Sequence, residues 1–239
     1  MPYRNKRKNR RKPRKRTKRK IKRTSLVYRT PSNPIPLGTV CKHKYCCRGV
    51  RQLTATAATT NILFRANSLY DPEYSSVQPR QHQPFFFDQM AALYNHYTVL
   101  GSKIKVRVWC DRDTDQDADP MNMCLQLKDA AQSPVDAFAI REQPDATYTT
   151  VIKAQQPYTL TKGFSAAKFF GKSKSSVSGE AELRGTSVTN PAEMAYFILT
   201  LTDPEAYSHS EADVIQQIHY EVEIQFTAAW TERKSITPS

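Results

Sequence analysis

Acid is what this chain most conspicuously lacks at one end: no Asp or Glu occurs before Asp71. Glycine is also scarce, with 7 in 239 residues. No glycine-rich phosphate loop, nucleophile elbow or HExxH pair is present, so nucleotide hydrolysis, serine-type acyl transfer and zinc-dependent proteolysis find no scaffold. The five histidines, His43, His82, His96, His209 and His219, show no ligand spacing. We read the chain as non-enzymatic, with no cofactor. Long apolar runs are missing as well. Nothing approaches the roughly 20 residues of a membrane-spanning helix, and the basic start is not followed by the apolar stretch of a secretory signal. A soluble intracellular polypeptide without membrane insertion is expected.

Cysteine is limited to Cys41, Cys46, Cys47, Cys110 and Cys124, an odd set that argues against a disulfide framework. The stretch CKHKYCC brings three thiols and His43 together, which is zinc chemistry. In a strand, however, adjacent Cys46 and Cys47 point to opposite faces. Small buried hydrophobes in a reducing compartment are the better account, and no metal is expected. The acidic run DRDTDQDAD, Asp111 to Asp119, resembles part of a calcium loop. Gln116 stands where an EF-hand turn wants glycine, and Asn122 where the bidentate Glu belongs. A solvated loop is expected there.

Positive charge is abundant and unevenly placed. Fifteen of the 36 Lys and Arg residues fall before residue 24, leaving 21 basic against 22 acidic residues in the remainder. A segment with so much charge of one sign and so little to bury cannot offset its ordering entropy, so it is expected to be disordered when free and to need an anionic partner. Nucleic acid fits better than a membrane surface, because no apolar face accompanies the charge and each neutralised phosphate releases condensed counterions whatever the base sequence. The predicted nucleic-acid contacts are Arg4, Lys6, Arg7, Lys8, Arg10, Arg11, Lys12, Arg14, Lys15, Arg16, Lys18, Arg19, Lys20, Lys22 and Arg23. Lys42, Lys44, Arg48 and Arg51 continue the acid-free region and join that set. Phe85, Phe86, Phe87 and Trp109 are candidates for base stacking, with packing in or between subunits the favoured reading.

TPSNPIPLG, Thr30 to Gly38, favours an extended spacer. The chain therefore divides into residues 1–38, a basic arm with its proline-rich linker, and a body over residues 39–239, long enough for one substantial core. In the body the dominant period is two. KIKVRVWC puts Ile104, Val106, Val108 and Cys110 on one face and Lys103, Lys105, Arg107 and Trp109 on the other. IHYEVEIQF puts Ile218, Tyr220, Val222, Ile224 and Phe226 inward, with His219, Glu221, Glu223 and Gln225 outward. MNMCLQL, TYTTVIK, YTLTKGF, MAYFILTLT and the β-branched stretch VRQLTATAATTNILFRA are further strands. Short helical turns are expected from Asp88 before QMAALY and from Ser133-Pro134 before VDAFA. Seven or eight strands with long loops and no internal repeat predict an all-β fold, a single antiparallel jelly-roll sandwich.

One region adds a resemblance. FRANSLYDP from Phe64, with Ala66, Asn67, Ser68, Tyr70, Asp71 and Pro72, then QPFFFDQ with Gln83, Pro84, Phe87, Asp88 and Gln89, then YTVLGSK with Tyr97, Val99, Gly101, Ser102 and Lys103, resembles the capsid proteins of circoviruses and related small circular single-stranded DNA viruses. Phe85 and Phe86 stand where that group often has glycine. KGFSAAKFFG from Lys162 and the terminal YEVEIQF are looser likenesses. The resemblance implies an eight-stranded jelly roll that assembles with itself into an icosahedral shell, with an arm that binds viral single-stranded DNA and carries nuclear-import signals. About sixty arms of fifteen charges would neutralise roughly half of a genome near two thousand nucleotides. Implied partners are other copies of the chain, the viral DNA, host import receptors and a host attachment receptor; implied locations are the virion and the host nucleus. The residues alone leave two alternatives open: an RNA virus capsid, or a cellular basic nucleic-acid-binding protein of ribosomal or architectural type.

Overall fold

The computed structural model describes residues 35–54, 58–74, 82–111, 121–132, 140–143, 145–151, 156–203 and 214–235, all within a compact unit that begins at Ile35. Arg4 to Arg23, most of the linker, the Asp111–Asp119 side chains and the turn expected at Ser133-Pro134 lie outside the described residues. The strands are β1 (Gly38–Thr54), β2 (Thr59–Arg65), β3 (Tyr94–Asp111), β4 (Met121–Lys128), β5 (Thr147–Val151), β6 (Tyr158–Ser165), the two-residue β7 (Arg184–Gly185), β8 (Tyr196–Thr202) and β9 (Val214–Arg233). Among the described residues, helix occurs at α1 (Phe87–Leu93), at residues 140–141, at α2 (Ala166–Phe169) and in two single 3₁₀ turns. No described helix is long and apolar enough to cross a membrane.

The pairing is nested. β1 pairs with β9, β2 with β8, β3 with β6 and β4 with β5, all antiparallel. Lateral pairing of β3 with β9 and of β4 with β8 then joins these ribbons into two sheets, ordered β1-β9-β3-β6 and β2-β8-β4-β5, with β7 on the edge of β3. A long antiparallel ribbon rolled over itself in this order is a jelly roll. Eight principal strands agree in number with the sequence reading, but most of β1 was not among its candidates, and β7 is a further addition.

Alternation decides which side chains meet between the sheets. Ile104, Val106, Val108 and Cys110 of β3 and Ile218, Tyr220, Val222, Ile224 and Phe226 of β9 are buried, as expected. They pack with Met121, Met123 and Leu125 of β4 and Phe197, Leu199 and Leu201 of β8. Each fully buried aliphatic or aromatic chain contributes roughly 1.5–3 kcal/mol. The smaller sheet is also covered on its far side: Cys124, Gln126, Ile198 and Thr200 are buried there, and Leu63, Tyr196 and Ile198 form a second small cluster with Ala131 and Met194. Gly49 on β1 faces Tyr220, whose ring occupies the space a Cβ would need.

The FRANSLYDP stretch is an internal tie rather than a surface. Asn67 Nδ2 donates to Glu193 O at 2.7 Å and its Oδ1 accepts from Ala195 N at 3.0 Å, linking the end of β2 to the segment before β8. Tyr97 Oη accepts from the amides of Leu69 and Tyr70 and bonds Ser68 Oγ, while Ser102 Oγ donates to Ala66 O. Arg65 pairs with Asp71 across the turn.

His43 lies inward on β1, 2 % exposed. Its Nε2 accepts from Trp230 Nε1–H at 3.0 Å, so Nδ1 carries the proton and donates to Phe85 O at 3.2 Å. Trp230 is in turn ringed by Phe87, Tyr94 and Tyr97. Phe87 is thus buried core, which removes it from the candidates for base stacking. The helix signal at Asp88 is real, but the cap position is Phe86, with Asp88 in the first turn. Phe86 has φ 71, left-handed backbone that a bulky side chain adopts at a penalty.

Two outcomes are expected. Phe86→Gly relieves about 1 kcal/mol of backbone strain at little loss of packing, because that ring is 46 % exposed. Phe87→Ala loses about 3–5 kcal/mol. Thermal melts in which Phe86→Gly is markedly less stable than the parent would contradict this. For His43, burial lowers the imidazole below its usual 6.5, outweighing the bond to the Phe85 carbonyl, which raises it. The unfolded chain takes up that proton first, so the contribution is complete above about 6.5 and is lost as pH falls from there through the lowered folded value. Denaturant melts at pH 7.5 and 5 are expected to differ more for the parent than for His43→Phe.

Candidate nucleic-acid interface

The larger sheet turns a second face away from the core, and there the period of two delivers charge. Aligned by register, the outward rungs across β1, β9 and β3 read Lys44, Gln225, Lys103; then Cys46, Glu223, Lys105; then Arg48, Glu221, Arg107; then Val50, His219, Trp109. Lys42 and Thr227 extend this face toward Gly101. Six cations, Lys42, Lys44, Arg48, Lys103, Lys105 and Arg107, therefore flank two acids on the central strand. All six are exposed.

Two ion pairs join the strands, one between neighbouring rungs and one within a rung. Lys44 Nζ lies 2.9 Å from Glu223 Oε2, and Arg107 Nη1 lies 3.8 Å from Glu221 Oε2. The hydrogen bond from Lys44 holds the Glu223 carboxyl below its ordinary value, and the same bond raises Lys44. Exposed pairs of this kind contribute little to stability. Their stronger consequence is electrostatic: two acids cancel only part of six cations, and the face keeps a local surplus although the body as a whole is balanced. Shallow depressions run along β9 between the rows, one lined by Lys42, Lys44, Lys103 and Gln225 and the next by Arg48, Lys105, Arg107 and the two acids.

Of the four body residues expected to contact nucleic acid, the structure brings Lys42, Lys44 and Arg48 together on this face. Arg51 departs from them: it has the opposite parity on β1, and its guanidinium sits 5.8 Å from the Tyr220 ring centroid. That opposite parity keeps it out of the cationic row. Lys103, Lys105 and Arg107 join the face although the sequence reading counted them only as a solvated strand face. The outward basic pattern of β3 and the acidic pattern of β9 were both visible; their adjacency was not. Phe85 is 81 % exposed, and its amide donates to Lys44 O at 3.1 Å, beside the same row. Trp109 is half-buried and stacks on His219, with ring centroids 5.6 Å apart and planes 10° apart.

The thiols divide as strand parity requires. Cys46 is exposed on the cationic face, whereas Cys47 lies on the other side of β1, half-buried beside Tyr45 and Glu73, and burial pushes its thiol up to about 12. Cys110 and Cys124 are buried and likewise held high, at about 11. Among the described residues, no group of three or more His, Cys, Asp or Glu side chains is placed to hold a metal ion.

No family model and no curated protein sequence matches the chain. Solved structures do. The chain is similar to a protein in the structure of Broad Bean Stain Virus, at 10% identity and a TM-score of 0.39 over 87% of this chain and 96% of that one. It is similar to a protein of the empty head of Turnip Yellow Mosaic Virus, at 11% identity and 0.39 over 90% and 93%. It is similar to the decameric BFDV capsid protein, at 10% identity and 0.40 over 81% and 98%. These similar structures are of viruses and a viral capsid protein. The jelly roll itself rests on the strand pairing described above.

If polyanions lie on this face, Glu223→Gln leaves Lys44 unpaired and adds one net cation. Binding to an oligonucleotide, followed against salt concentration, is then expected to steepen by about one phosphate contact, with unchanged melting. An unchanged slope would place polyanion binding elsewhere.

Proposed function

We propose that the chain is the shell protein of a small virus, in which jelly-roll bodies tile into a closed capsid and the arm residues Arg4 to Arg23 gather packaged single-stranded DNA. One observation carries this reading: fifteen cations without an acid precede residue 24, joined to a body whose remaining charges balance. A balanced body packs against copies of itself without strong long-range repulsion. The arm's self-repulsion is relieved only where phosphate is present, inside a filled shell. The likeness of Phe64–Val108 to circovirus-type capsid proteins supports the same assignment. In this reading the single-signed arm also serves nuclear import, so the chain passes through the host nucleus before residing in the virion. Shell loops meet the host receptor. Lys42, Lys44 and Arg48 add contacts from the body.

The jelly roll supports this over a cellular nucleic-acid module only in combination with the arm, since function belongs to sites rather than folds. The test is direct. Expression of the full chain is expected to yield uniform closed particles in electron micrographs, whose cargo from infected cells is digested by DNase after opening and resists RNase. RNase-sensitive cargo would turn the reading to an RNA virus. Absence of particles under all conditions would turn it to a cellular protein. Removing residues 1–23 is expected to abolish cargo retention while the β-rich circular dichroism persists; loss of the fold would contradict the division into arm and body.

A further inference from the structure

We infer that the folded body carries its own single-stranded nucleic-acid track along β9, with the Trp109–His219 stack as its base-binding end. This deepens the reading above and rests on it. The three depressions on the outward face follow one another along the central strand. The last is lined by Cys46, Arg48, Val50, Trp109, His219 and Glu221. From Thr227 to His219 the outward positions of β9 span eight residues, about 27 Å at the usual strand rise. That length accommodates four or more nucleotides, the smallest site size of single-strand binders.

The chemistry along this track is graded. At the Thr227 end the walls are Lys42, Lys44 and Lys103, point charges suited to phosphate at any orientation. In the middle Arg48 and Arg107 stand on either side of Glu221. At the far end charge gives way to two stacked, near-parallel rings, Trp109 and His219, with half-exposed Val50 on the next strand. Cations beside a half-buried aromatic pair are the combination that holds unpaired strands: phosphates are neutralised and a splayed base extends the stack. A duplex keeps its bases covered and engages only the cations. The platform therefore selects single strands, which the arm's charge alone does not.

The two tryptophans make this readable. Trp230 is 1 % exposed in the core, so a change in emission on binding reports Trp109. With the full chain, an oligothymidylate of eight residues is expected to quench the emission, whereas polyphosphate of similar charge and a duplex of the same length are not. Trp109→Leu is expected to abolish the quench and weaken oligothymidylate binding roughly 5- to 150-fold with an unchanged salt slope. Trp109→Phe, which keeps an aromatic face, retains most of the affinity, and the buried Trp230 emission verifies the fold in both variants. Equal quenching by polyphosphate, unaltered affinity in Trp109→Leu, or loss of particle assembly with oligonucleotide binding intact would each overturn the track; the last outcome would make Trp109 a contact between copies. Binding that depends entirely on residues 1–23 overturns the track alone. A full chain that binds no oligonucleotide at low salt overturns both this proposal and the proposed function.

Discussion

The pairing of β9 between β1 and β3 is the constraint on which the rest depends. This strand is hydrogen-bonded on both edges through most of its 20 residues, and its inward side chains form one wall of the core. Because side chains alternate, a slip of a single residue would send Glu221 and Glu223 inward and Val222 and Ile224 to solvent. Burying two carboxylates without partners is prohibitive, so register is specified along its whole length. The same specification sets the outward face, since it places the acids of β9 between the cations of β1 and β3.

Charge in this protein is therefore distributed at two scales. Along the chain, the surplus belongs to the segment before residue 24. Within the body, acids and bases balance in number but not in position. One sheet presents six exposed cations on its outward face, and the other has buried residues on its outward side as well. A balanced total suits packing between identical copies, and a local surplus suits a polyanion held against one surface. The two are compatible because screening limits an exposed charge to about 8–10 Å at ordinary ionic strength.

Most of the strands were legible beforehand, most cleanly those with one wet and one dry face. β3 and β9 alternate cleanly, and their inward residues are the buried ones. β1 was harder, because its inward positions include His43 and Gly49, which do not read as core, while Cys46, expected to be buried, is exposed on the outward side. His43 is acceptable there only because Trp230 and the Phe85 carbonyl satisfy both ring nitrogens, and those partners are 187 and 42 residues away. β8 reads as a continuous apolar run since both its faces are covered. The FRANSLYDP stretch was recognisable as a pattern, but its role as a polar tie among β2, β3 and the segment before β8 depends on contacts across more than 120 residues.

What the sequence by itself determined is local and additive: a single-signed arm that cannot build a core, a body of alternating strands, and the parity that separates Cys46 from Cys47 and Lys44 from His43. What only the tertiary structure decided is which rows become neighbours. Basic β3 and acidic β9 lie more than 100 residues apart along the chain, and nothing in either states that they pair, or that β1 closes the other side. Alternation is a property of one strand and survives in any fold. Adjacency is set by nested pairing, because only a closed sandwich buries every inward row at once. From that closure come the cationic track and the Trp109–His219 platform.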